Sequence, residues 1–118
     1  MGSLSTHVLD TADGCPAAAI LIELVRLGSE GSRTLLTSMR TDADGRTRLP
    51  PLTGEALGGG SYELVFHVGA YFRARGRVVA EPAFLDLVPV RFQMTEGPQH
   101  YHIPLLVSPY GYTTYRGS

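Results

Sequence analysis

The stretch QHYHIPLLVSPYGYTTYRGS (residues 99–118) carries the clearest strand pattern in the chain. Side chains alternate between two faces along a strand. One face of residues 100–108 is entirely apolar: Tyr101, Ile103, Leu105 and Val107. The other face has histidines at one end and apolar side chains at the other: His100, His102, Pro104 and Leu106. Because a strand face that meets only water is usually polar, the second face predicts a further buried surface, which another subunit could supply.

Short β-prone segments continue along the rest of the chain. Its 14 glycines and eight prolines separate these segments at regular spacing, which favours a β-sandwich or barrel. The predicted strands are residues 6–10, 19–27, 35–41, 46–49, 62–68, 87–94, 100–108 and 113–116. One helical turn is predicted at residues 71–77. We therefore expect an all-β fold with one short helix.

Two other predicted strands carry polar residues on a face that also bears apolar ones. In the first strand, His7 lies on the face opposite Val8, and in the last strand Tyr115 lies on the face opposite Arg116. If both strands neighbour the strand at residues 100–108, then His7, His102 and Tyr115 converge on the outer surface of one sheet. The sequence alone leaves that adjacency open.

Composition restricts the class of protein. A length of 118 residues predicts a single domain over residues 1–118. The net charge of −1 argues against nucleic acid or an anionic membrane as a partner. The longest apolar stretch, residues 16–22, is too short to span a bilayer. Because Cys15 is the single cysteine, no internal disulfide can form; we therefore expect a soluble protein of the reducing cytoplasm.

Four segments resemble the transthyretin-related family of 5-hydroxyisourate hydrolases. They are STHVLDTADGCPA (residues 5–17), TDADGR (41–46), YELVFHVGAYF (62–72) and HYHIPLLVSPYGYTTYRGS (100–118). The final Tyr-Arg-Gly-Ser is the most specific of these matches. The resemblance implies a transthyretin-like, eight-stranded Greek-key sandwich of two four-stranded sheets with one short helix. It also implies a homotetramer, a dimer of dimers, with active sites where the dimers meet.

The resemblance further implies hydrolysis of 5-hydroxyisourate, a purine-derived substrate of urate breakdown, to 2-oxo-4-hydroxy-4-carboxy-5-ureidoimidazoline, without cofactor or metal. Carried over by motif, the catalytic residues are His7, Arg46, His102 and Ser118. The residues implied to bind substrate are His7 and Arg46 again, with Tyr115, Arg116 and Gly117.

Water must add to a ring carbonyl, after which a carbon–nitrogen bond breaks. This chemistry needs a base, a cation or donor for the oxyanion, and a proton for the leaving nitrogen. We expect His7 and His102 to hold and deprotonate water, and Arg46 to bind the anionic ring and its oxyanion. A nearby arginine should lower the pKa of a histidine and keep it neutral. Which histidine is the base stays open, as does whether Ser118 acts through its hydroxyl or its terminal carboxylate.

Two other functions fit parts of the pattern. A transthyretin-like carrier would bind a small molecule without chemistry, although the imidazoles of His7 and His102 argue against it. A metal-dependent hydrolase could use His7, His100 and His102 as zinc ligands, but no acidic residue is adjacent to them in sequence. Otherwise His100 is expected to be structural or to assist its neighbour.

Overall fold

The computed structural model describes residues 2–49, 57–77 and 81–118. The strands are β1 (Ser3–Asp10), β2 (Cys15–Pro16), β3 (Leu21–Leu27), β4 (Arg33–Arg40), β5 (Arg46–Leu49), β6 (Gly60–His67), β7 (Leu87–Met94), β8 (His100–Ser108) and β9 (Gly111–Thr114). A 3₁₀ turn (Ser29–Gly31) lies between β3 and β4, and helix α1 (Val68–Ala74) follows β6. None of the helices in these ranges has the length and apolar character needed to cross a membrane.

The strands form two sheets. The first has the order β2-β1-β8-β9, with β5 also pairing to β1, and the second has the order β4-β3-β6-β7. β1 and β8 run parallel, whereas the other pairs are antiparallel. The predicted all-β sandwich with one short helix is confirmed. Each predicted strand overlaps an observed strand, and the two-residue β2 is an addition that the sequence pattern did not predict.

Two boundaries differ for identifiable backbone reasons. Strand β3 begins at Leu21, two residues later than predicted, because Ala19 has a φ of 60° and so is not extended. Helix α1 spans Val68–Ala74, whereas the prediction was residues 71–77. The helix ends there because Gly76, with a φ of 72°, takes the left-handed conformation that terminates helices.

The core lies between the sheets and follows strand alternation. In β1 every second side chain is buried, and the intervening side chains are half-buried on the outer face. The predicted apolar face of β8 is confirmed, since its four members are buried. The largest fully buried side chains from the rest of the core are Tyr62, Phe66, Phe72, Leu4, Ile20, Ile22, Leu24, Leu57 and Leu64. The outer face of the first sheet is thereby left to the polar residues of β1 and β8.

A buried carboxylate closes one end of β1. Asp10 is 1% exposed, and its Oδ1 accepts the backbone N–H groups of Ala12 and Asp13 at 2.9 and 3.0 Å. Its Oδ2 accepts the hydroxyl of Tyr71 at 2.8 Å and lies 3.4 Å from Nε of Arg75. Burial, followed by the bond to Asp10, raises the pKa of Tyr71, so this hydroxyl remains a donor. The interaction ties α1 to the strand that carries His7.

Tyr71→Phe should therefore lower the free energy of unfolding by about 1.5–3 kcal/mol, the usual cost of losing a hydrogen bond to a charged group. Urea denaturation at matched protein concentration measures the change. Tyr110→Phe is the control, because Tyr110 is 70% exposed. Equal stability of the Tyr71→Phe and wild-type proteins would contradict the assigned role of this hydrogen bond.

Candidate functional site

The first sheet brings two histidines and an arginine together on its outer face. Strand β1 lies between β5 and β8, and His7 is the direct cross-strand partner of Arg46. On the other side, Ser5 pairs with His102. Directly opposite side chains in an antiparallel pair have Cβ atoms about 4.5–5.5 Å apart. The adjacency that the sequence left open is observed: β1, β8 and β9 are neighbours in one sheet.

The Asp42–Gly45 turn places Arg46 beside His7. Oδ1 of Asp42 accepts the backbone N–H groups of Asp44 and Arg46 at 2.9 and 3.0 Å. Gly45 has a φ of 76°, and a Cβ there would collide with the carbonyl oxygen of Val8. Glycine is therefore required both for the turn and for its close approach to β1.

His7 is fixed by the same turn. Its Nε2 lies 2.9 Å from the carbonyl oxygen of Asp44. Because a carbonyl oxygen can only accept, Nε2 of His7 must carry a hydrogen and donate it. In the neutral imidazole this leaves the lone pair on Nδ1.

His102 is held by β1 and by the end of the chain. Its Nδ1 lies 2.8 Å from Oγ of Ser5. The backbone N–H of Gly117 donates to the carbonyl oxygen of His102 at 2.7 Å. A Cβ at position 117 would collide with Cδ2 of His102. The glycine of the final Tyr-Arg-Gly-Ser thus makes room for the imidazole.

The pKa of His102 is lowered from its ordinary value. Burial is the largest cause, followed by the charge of Arg46 and then by the neighbouring His100 and His7. Each of these disfavours the imidazolium, while a hydrogen bond with the backbone of Ser5 opposes the shift. The expectation that arginine lowers the pKa of a histidine here is confirmed. The lowered pKa favours the neutral form of the His102 imidazole.

A shallow pocket of about 180 Å³ opens beside these groups. Its lining is mostly polar and comes from β1, β5, β8 and the preceding turn: Ser5, Thr6, Asp42, Arg46, Thr47, Arg48 and His102. Small-molecule sites usually measure about 300–1,000 Å³. The pocket of one chain is therefore smaller than a usual small-molecule site.

The tail residues lie on both faces of the sheet. Gly117 forms a bridge with His102, and Tyr115, 57% exposed, lies just after β9, two residues before that bridge. Arg116 lies on Tyr101, with its guanidinium 4.3 Å from the centroid of that ring. Ser118 is exposed. The structure thus brings together His7, Arg46, His102 and Gly117, places Tyr115 nearby and directs Arg116 away. The predicted contact of Arg116 with substrate stays a prediction.

Sequence reasoning missed two serines that contact the histidines. Ser3 and Ser5 lie on the outer face of β1 and hydrogen-bond to the imidazoles of His100 and His102. Their spacing with His7, at every second position, was the available signal. Across residues 2–49, 57–77 and 81–118, no three His, Cys, Asp or Glu side chains are grouped to hold a metal ion.

Comparison with known proteins gives consistent matches over the whole chain. The model of the HIUase/Transthyretin family matches residues 4–117. The chain is 52% identical to 5-hydroxyisourate hydrolase 2 of Rhizobium meliloti over 117 residues, 99% of this chain and 97% of that one. The structure of Klebsiella pneumoniae 5-hydroxyisourate hydrolase superposes with a TM-score of 0.79 at 34% identity, with both chains fully covered. An (S)-allantoin synthase structure gives 0.86 at 41% identity; 99% of this chain matches, but it spans only 44% of that protein.

Replacing Arg46 by glutamine should raise the pKa of His102. The value should stay below that of a free histidine, because burial, the larger cause of the shift, is unchanged. An NMR pH titration of the His102 ring signals measures this difference. Arg48→Gln removes a charge from the next outward position of β5, and Arg48 is not among the groups that shift His102. Equal shifts in both variants would assign the effect to net charge instead of to Arg46.

Proposed function

The chain belongs to the HIUase/Transthyretin family, and from this premise we propose that it hydrolyses 5-hydroxyisourate to 2-oxo-4-hydroxy-4-carboxy-5-ureidoimidazoline. Family membership alone does not choose between catalysis and carriage, because the family joins both kinds of protein. The observation that favours catalysis is the grouping of His7, Arg46 and His102 on one sheet face. The identity to hydrolase relatives supports the same choice. The protein acts as a hydrolase in the cytoplasm.

Arg46 binds the anionic ring. Its planar guanidinium is always charged and matches two adjacent oxygen atoms with parallel N–H donors. As water adds to the ring carbonyl, negative charge grows on the carbonyl oxygen, and the same cation stabilises it. Removing one such oxyanion donor typically costs about 2.7–4 kcal/mol of transition-state stabilisation.

The two imidazoles position and deprotonate water. His102 is kept neutral by burial and by Arg46, so it can accept a proton at its outward nitrogen Nε2. His7 has its lone pair on Nδ1 and accepts the second O–H of the same water. His102 then returns the proton to the ring nitrogen as the carbon–nitrogen bond breaks. His102 is thus base first and acid second.

The end of the chain completes the pocket. Gly117 leaves space for the ring of His102, and Tyr115 forms a wall beside it. Ser118 follows directly and offers its hydroxyl to the substrate or to a histidine. We assign it to the catalytic group on this placement and on the family motif.

Direct measurement of turnover tests this function. His7→Ala and His102→Ala should each lower kcat by about 10²–10⁴-fold, the range of general acid–base catalysis. The ultraviolet decay of freshly prepared 5-hydroxyisourate, with and without protein, gives the rates. His67→Ala is the matched control, because His67 pairs with Glu23 in the other sheet.

Each contrary result would point to a different function or to a different set of catalytic residues. Decay at the spontaneous rate with the wild-type protein would leave a carrier, which a binding assay with a stable ring analogue would then detect. Loss of activity in a strong chelator, restored by zinc, would support a metal-dependent hydrolase. Full activity of either His→Ala variant would remove that histidine from the mechanism.

We also propose that the outer faces of two dimers meet to form the site of a homotetramer. The pocket of one chain is small and open. Further along β1, Leu106 and Leu9 line another cavity of about 280 Å³. Apolar side chains on the same sheet face as a small, open pocket are suited to burial against a second copy.

Leu106→Glu should break this contact, because burying an unpaired carboxylate is strongly unfavourable. Light scattering after size-exclusion chromatography should show a species smaller than the wild-type one. Leu35→Glu is the control; Leu35 is 58% exposed on β4 of the other sheet. A wild-type mass for Leu106→Glu would place the interface elsewhere.

A further inference from the structure

A continuous line of hydrogen bonds leads from His102 to the edge of the site. Oγ of Ser5 lies 2.8 Å from Nδ1 of His102 and 2.9 Å from Nε2 of His100. Nδ1 of His100 lies 2.6 Å from Oγ of Ser3. The line alternates between strands because Ser3 pairs with His100 and Ser5 with His102 in the parallel register. We call these four residues the Ser3–His102 network.

The hydrogen-bond donors in this network constrain one another. The hydroxyl of Ser5 has a single hydrogen and therefore donates to one imidazole and accepts from the other. If Ser5 donates to Nε2 of His100, then Nδ1 of His102 must carry a hydrogen and donate it to Ser5. The lone pair of His102 is then on Nε2, where a base is needed. If Ser5 donates to His102 instead, Nε2 of His102 carries a hydrogen and can act as an acid.

The surroundings favour positive charge on His100 over His102. His102 is partly buried and lies near the guanidinium of Arg46, and both factors disfavour its imidazolium. His100 is exposed, so water can solvate a charge there. Both ring nitrogens of His100 face serine oxygens that can accept hydrogen bonds. The Ser3–His102 network therefore offers a route by which a proton gained at His102 is held on His100.

We propose that Ser5 and His100 form a proton relay that switches His102 between base and acid, an inference that rests on the hydrolase function proposed above. As Nε2 of His102 takes a proton from water, its Nδ1 proton passes to Ser5. The proton of Ser5 passes to Nε2 of His100. Water has then lost one proton and His100 has gained one, while His102 is neutral with a hydrogen on Nε2.

The second half of the reaction reverses the relay. Nε2 of His102 gives its proton to the leaving ring nitrogen as the carbon–nitrogen bond breaks. Nε2 of His100 returns a proton to Ser5, and Ser5 returns one to Nδ1 of His102. The net transfer is one proton from water to the leaving nitrogen, and no imidazolium forms beside Arg46. Ser5 and His100 are positioning residues, since both act through His102.

Three variants test the relay. Ser5→Ala removes the central hydroxyl, and Ser5→Thr keeps it. His100→Asn interrupts the network at an exposed position, so this variant should fold. Ser38→Ala, an exposed serine on β4, is the matched control. Ser5→Ala and His100→Asn should lower kcat by about 10- to 100-fold with KM within about twofold, as for residues that orient a reacting group. Ser5→Thr should restore most of the kcat that Ser5→Ala loses, and Ser38→Ala should keep wild-type kcat.

A spectroscopic readout separates a relay from a structural role. The ¹⁵N shifts of the His102 ring should show hydrogen on Nδ1 in the wild-type protein and in Ser5→Thr. In Ser5→Ala they should move part of the way toward the form with hydrogen on Nε2, because the hydroxyl partner of Nδ1 is gone and only the hydrogen bond with the backbone at position 5 remains. Unchanged shifts in Ser5→Ala, or wild-type kcat in His100→Asn, would overturn the relay.

The two proposals fail in different ways. A wild-type protein that does not accelerate the decay of 5-hydroxyisourate would refute the hydrolase function, and with it the relay's part in catalysis. The ¹⁵N shifts need no substrate, so they would still decide whether Ser5 sets the tautomer of His102. Normal hydrolysis with a kcat insensitive to Ser5→Ala would refute the relay alone.

Discussion

The parallel pairing of β1 with β8 is the interaction on which the site depends. The pairing begins at Ser3 with His100, so it joins segments close to opposite ends of the chain. It also fixes the register in which Ser5 meets His102. If β1 shifted by one residue against β8, His7 would turn into the core and Val8 would come to the surface, so His7 and His102 would no longer share a face. The buried alternation of both strands makes that shift costly. The packing of the core therefore determines the geometry of the polar face.

The sequence predicted which face of a strand is buried better than it predicted which strands pair. Alternation in residues 100–108 identified the core side, which burial confirms, whereas Pro104 of the histidine side is buried as well. The same pattern could not show that β1 pairs with β8, because each strand's periodicity describes its own two faces only. That adjacency came only with the structure. The two-residue β2 and the start of β3 were missed, since such boundaries depend on tertiary contacts and on single φ values. Arg116 shows the same limit, because no local pattern indicates that it lies on Tyr101.

The residues around the histidines serve the chemistry more than stability. Arg46 places a positive charge next to imidazoles that would repel it if protonated, and the lowered pKa of His102 records this. A neutral imidazole beside a permanent cation is the combination that base catalysis on an anionic substrate needs. Two glycines make the combination possible. Gly45 brings the arginine turn against β1, and Gly117 gives space to the ring of His102. Neither glycine supplies a chemical group.

The outer and inner faces of the sheet can change independently. The core positions of β1 and β8 maintain the sandwich, while the outward positions carry the serines and histidines at one end and Leu106 at the other. Substituting outward residues alters chemistry or assembly with little effect on the packing between sheets. A family that includes both hydrolases and transthyretin is what such a fold permits, because function depends on a few outward side chains and not on the architecture. For this chain, the outward set of two serines, three histidines and one arginine argues for hydrolysis.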